Sequence, residues 1–166
     1  MKRWWARAVG VVVLAGLAVW GWRLLHPNPE VAIRKRLNAL AQAVCISQGE
    51  SRLARLAGAQ KLSTFFTPDV LVTVDIPGHS RQTWSGIDEL REAAVAAEAV
   101  VYALKVQLFG INVTLGADGK SASVELTAEA TVPGDRNIEV QEMKVTMKKV
   151  QDEWLIRQVE TVKTLR

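Results

Sequence analysis

The stretch that most constrains this chain is Ser121–Val132, because it alternates without a break. Ala122, Val124, Leu126, Ala128, Ala130 and Val132 share one parity, and Ser123, Glu125, Thr127, Glu129 and Thr131 the other. Period-2 alternation of this length predicts an antiparallel strand with one buried face. Turn formers bracket it, Gly116-Ala117-Asp118-Gly119 before and Pro133-Gly134-Asp135 after. The strand lies inside a block, Val100 to Thr164, that reads as four consecutive strands. Its neighbours each change phase once. Tyr102, Leu104, Val106 and Leu108 give way to Phe109, Ile111, Val113 and Leu115, and Ile138 and Val140 give way to Met143, Val145 and Met147. An inserted residue in a β-bulge switches the inward face and bends the strand, so bulges are expected near Gly110 and near Gln141–Glu142. The sheet should therefore curve around something.

Ahead of this block the signals are helical. Pro27-Asn28-Pro29-Glu30 opens a helix, with Asn28 as N-cap, Pro29 at the first helical position and Glu30 at the positive end of the dipole. Ile33, Leu37, Leu40 and Val44 then recur at helical spacing. Arg34, Lys35 and Arg36 read as a solvated face, or as lipid-headgroup contacts. A second helix is expected from about Ser51 to Phe66, and Thr67-Pro68-Asp69 ends it. Val70 to Ile76 reads as the first strand, Arg81 to Trp84 as a short second one, and Gly86 to Ala99 as a third helix.

The N-terminus supplies an address. Ala8 to Trp22 is fifteen residues without a charge. Extended through Leu25 and flanked by Trp4, Trp5, Trp20 and Trp22, it reads as a membrane span with aromatic belts. The competing reading is a cleaved signal peptide, but Trp20-Gly21-Trp22-Arg23-Leu24-Leu25 offers no small-x-small cleavage site. The expected organisation is a basic tail over 1–7, a transmembrane signal anchor over 8–25 and one domain over 26–166. Lys2, Arg3, Arg7 and Arg23 carry the formal excess of +4, and the other 17 basic residues balance 17 acidic ones. A neutral domain lacks the electrostatic footprint of a nucleic-acid binder. The short basic tail ahead of an apolar run points to a single-pass protein of the bacterial inner membrane, with its domain on the periplasmic side.

The order helix, helix, strand, strand, helix, four strands resembles the nuclear transport factor 2-like superfamily, in particular its SnoaL-like branch. The likeness is carried by Phe65-Phe66-Thr67-Pro68-Asp69-Val70-Leu71-Val72, by Trp84-Ser85-Gly86-Ile87-Asp88-Glu89-Leu90 and by Trp154-Leu155-Ile156-Arg157. It spans roughly Pro29 to Leu165. The resemblance implies an α+β fold in which a curved mixed or antiparallel sheet wraps three helices into a cone around an apolar pocket. Enzymes, binding proteins and scaffolds all use that fold, so it does not choose a function. An assembly-factor component of type IV secretion systems is similar in plan, with one anchor and one domain of this superfamily.

Chemistry is sparse. His26 and His79 are the only histidines and Cys45 the only cysteine, so no metal cluster is spelled out and no cofactor is expected. No phosphate loop or nucleophile elbow is present. Relatives of the scytalone dehydratase type need a His with a carboxylate partner, and His79 with Asp75, flanking Pro77-Gly78, are the weak candidates here. Asp75 alternates onto the polar side of its strand, which favours solvation over catalysis. Trp84, Tyr102 and Met143 are candidate pocket-wall residues, with ordinary core packing as the alternative. Three function classes follow: a non-enzymatic interaction module docking on a membrane-protein partner or on a second copy of itself; a carrier of a small hydrophobic ligand; and a SnoaL-like cyclase, isomerase or dehydratase.

Overall fold

The computed structural model describes residues 28–47, 49, 51–75, 80–101, 103–134 and 138–162. The basic tail (1–7) and the proposed anchor (8–25) lie outside the described residues. Among the described residues no helix is long and apolar enough to cross a membrane. The chain parts into two units between Ala32 and Ile33. The cap of the first helix belongs to the first unit: the Asn28 side-chain oxygen accepts the Glu30 N–H at 3.0 Å, satisfying a donor that the helix itself leaves over.

In chain order the elements are α1 (Pro29–Val44), α2 (Arg52–Ser63), β1 (Phe66–Val74), β2 (Gln82–Ser85), α3 (Ile87–Val100), β3 (Lys105–Leu115), β4 (Ser121–Thr131), β5 (Ile138–Val150) and β6 (Glu153–Thr161). From Ile33 onward α1 buries Ile33, Leu37 and Ala41, one stripe at four-residue spacing. Ser51 caps α2 by accepting the Ala54 N–H at 3.2 Å. That helix stops at Ser63, three residues short of the expected end. Phe65 and Phe66 are already held by the sheet: the Phe65 carbonyl accepts the Ile156 N–H at 2.9 Å, and Phe66 pairs with Ile156. Here strand pairing overrides local helical periodicity. Pro68, which has no N–H to give to the ladder, sits where the β1–β6 register shifts.

The six strands form one sheet in the order β2-β1-β6-β5-β4-β3. Only β1 and β6 run parallel; the other neighbours are antiparallel. The result is a mixed α+β fold in which the first long strand closes against the last. Ala122, Val124 and Leu126 are buried on the inner face of β4, the face its alternation assigned to the core.

One expected bulge is present and the other is elsewhere. Phe109 pairs with Thr127 and Asn112 with Glu125, so β3 carries one extra residue within Gly110–Ile111. Gly110 takes a positive φ of 59° there, a conformation glycine adopts without a Cβ penalty. At Gln141–Glu142, by contrast, β5 pairs with β4 without a shift from Ile138 to Lys148. Ile138 and Val140 are outward residues, 56% and 57% exposed; the phase change in the sequence marks a change of face, not an insertion. The second bulge is in β6. Thr146 pairs with Gln158 and the next residue, Met147, with Ile156, so Arg157 is the extra residue. It carries the buried set from Trp154 and Ile156 over to Val159.

Candidate functional site

Between the helices and the inner face of the sheet is a cavity of about 530 Å³. Small side chains leave that space. Ala93, Ala94 and Ala97 present the α3 side of the wall, with Ala41 from α1 and Ala128 from β4. Larger apolar groups close the rest: Leu37 and Leu40 from α1, Phe66 and Val72 from β1, Leu126 from β4 and Ile156 from β6. Of the residues proposed from sequence as pocket wall, Trp84 on β2 and Met143 on β5 line this cavity. Tyr102 lies outside the described residues.

Polar groups on the wall are few. Ser63, Gln82 and Arg91 are the polar lining residues among those described. Gln82, Arg91 and Ala97 are also exposed, so the cavity opens to solvent along the β2–α3 side. The Arg91 guanidinium donates through Nη1 to Asp88 at 3.0 Å, an exposed pair on one helix turn. No other ionisable side chain is among the described lining residues. A wall of this composition suits apolar surface; its described residues do not present a proton donor and acceptor converging on one atom.

Of the two weak catalytic candidates, Asp75 is described and does not belong to this wall. Asp75 follows β1, and its carboxylate accepts from Arg81 Nε at 3.3 Å and Nη2 at 3.2 Å. Its backbone N–H donates to the Thr161 hydroxyl at 2.9 Å. Asp75 is thus tied to Arg81, just ahead of β2, and to β6, and is not among the lining residues. His79 lies outside the described residues. Among the described residues no group of three or more His, Cys, Asp or Glu could hold a metal ion. Cys45 is half-buried beside a smaller pocket of about 110 Å³, where its thiol donates to the Ala41 carbonyl at 3.2 Å and accepts the Val106 N–H at 3.3 Å.

Sequence reasoning did not pick out Ala93, Ala94, Ala97 or Arg91. The available signal was the alanine-rich face of α3, since a helix packed tightly on a sheet ordinarily presents larger residues there.

A six-stranded mixed sheet with three helices over an apolar cavity is the nuclear transport factor 2-like fold. Comparison with solved structures bears this out. An NTF2-like protein of unknown function from Pseudomonas putida superposes with a TM-score of 0.64 at 12% identity, over 85% of this chain and 90% of that one. A cystatin-like-fold protein of unknown function from Nostoc punctiforme gives 0.62 at 13% identity, over 84% and 96%. A candidate scytalone dehydratase from Novosphingobium aromaticivorans gives 0.57 at 14% identity, over 81% and 83%. At such identities the likeness is one of fold. No family model and no curated protein matches the sequence.

Proposed function

We propose that this protein binds a small hydrophobic ligand in the cavity under α3, and that residues 8–25 hold the domain at the periplasmic face of the bacterial inner membrane. The carrying observation is the cavity itself. At about 530 Å³ it has the size of a ligand site, and its described wall is apolar apart from Ser63, Gln82 and Arg91. A membrane tether would place such a site where apolar molecules are concentrated. The test is binding of the hydrophobic dye N-phenyl-1-naphthylamine to the full chain held in amphipol, with Ala128→Trp and Ala94→Trp as cavity-filled variants. Wild type should bind the dye saturably and both variants should lose that binding. Equal dye uptake by all three proteins would refute the reading.

The docking reading is kept as a second one because of Phe109, Ile138 and Val140. They are exposed at 47%, 56% and 57%, and their pairings put them on the outer face of β3 and β5. Under that reading the domain is a scaffold for a membrane-protein partner or a second copy. Replacing Ile138 and Val140 with Lys should then release whatever co-purifies in mild detergent while leaving dye binding intact.

A further inference from the structure

The distribution of polar groups on the cavity wall narrows the ligand further. We infer that the cavity takes an amphipathic molecule with one anionic head, its apolar body against α3 and the sheet and its carboxylate paired with Arg91 at the mouth. This rests on the ligand-binding reading above. Three observations support it. The body of the site is apolar on both sides, from Ala94 and Ala97 on the helix to Leu126 and Met143 on the sheet. Arg91 is the one cation on the described wall, and it stands at the open end with Gln82 beside the same opening. The volume sets the size. At about 530 Å³ the cavity falls within the range of small-molecule sites.

The groups around Arg91 permit this pairing. Asp88 occupies one of the five guanidinium N–H donors, and its side chain is 84% exposed, so the pair is weakly held. Glu89, the other acid of the first turn, is engaged by the Ser85 N–H at 2.7 Å. Glu92 is exposed. An arriving carboxylate can therefore accept from the remaining guanidinium donors, with the planar two-point geometry that arginine offers and lysine does not.

Three probes sharing one twelve-carbon chain separate head from body: dodecanoate, 1-dodecanol and dodecyltrimethylammonium, each titrated against the full chain in amphipol at pH 8. In wild type dodecanoate should bind roughly tenfold tighter than the alcohol, the lower end for a charge-assisted hydrogen bond at a half-exposed site. Arg91→Gln should erase that preference and leave the affinity for the alcohol unchanged, while Arg91→Lys should restore part of it. If the alcohol or the ammonium probe binds as tightly as dodecanoate, or if the preference survives Arg91→Gln, the inference falls while the ligand-binding reading stands. If no probe binds wild type, or if binding persists in Ala128→Trp, both fall together.

Discussion

Asp118 organises the β3–β4 turn through a single carboxylate oxygen. That oxygen accepts the backbone N–H groups of Lys120 and Ser121, both at 2.9 Å, and the Ser121 hydroxyl at 2.7 Å. The hydroxyl first, and the two amides after it, hold the carboxyl below its ordinary value of 3.8. A depressed folded-state pKa contributes stability above the unfolded value, and that contribution is lost as pH falls through the folded one. Asp118→Asn should therefore be less stable than wild type at pH 7, and the gap in urea midpoint should narrow below about pH 3.8. Gly116 belongs to the same turn, because a Cβ there would collide with the Ser121 hydroxyl. Arg36 departs from the solvated face expected for it. Its guanidinium stacks 4.6 Å from the centre of the Phe65 ring and donates to the Thr64 carbonyl at 2.6 Å. The 3.3 Å pair with Glu153 adds little, since that carboxylate is 66% exposed. Arg36→Leu should cost about 1–2 kcal/mol of stability, read as a lower urea midpoint at unchanged m-value.

Among the elements, the bulges show how phase changes in a sequence can be read two ways. In β3 the switch at Gly110 is a true insertion, and Gly110→Ala should destabilise by about 1 kcal/mol because the new Cβ must enter the left-handed region. A urea titration of the variant would show it, and an unchanged midpoint would mean that the strand repairs itself without the bulge. In β5 the same kind of switch is a pair of apolar residues on the outer face. No local signal separates the two cases, since both place hydrophobic residues at even and then at odd positions. The β6 insertion at Arg157 was hidden for a complementary reason. Trp154, Ile156 and Val159 straddle it, and a strand of nine residues is too short for the change of parity to stand out.

At the scale of the molecule, closure of β1 onto β6 brings Phe66, Val72, Ile156 and Val159 together on the inner face and sets the floor of the cavity. The helices supply the other wall, and the alanines of α3 set how much of the space between stays empty. The proposed topology carries its own test. In a Cys45→Ser background, a thiol introduced by Ala117→Cys in the exposed β3–β4 turn should react with a membrane-impermeant maleimide in intact spheroplasts. Labelling only after lysis would put the domain on the cytoplasmic side.

Local chemistry in the sequence determined the elements. The Asn28 and Ser51 caps and the uninterrupted alternation of β4 are written in short windows of residues, and backbone hydrogen bonding and side-chain periodicity act over those same windows. Trp84 and Met143 could likewise be proposed as wall residues, because large apolar groups on a sheet and at a helix–strand junction have few other places to go. Tertiary structure alone decided the end of α2 at Ser63, the outward turn of Ile138 and Val140 and the position of the β6 bulge. Each depends on pairing or packing between residues far apart in the chain. The cavity belongs to that second group. An empty volume is a property of two facing surfaces, and no single stretch of sequence contains both.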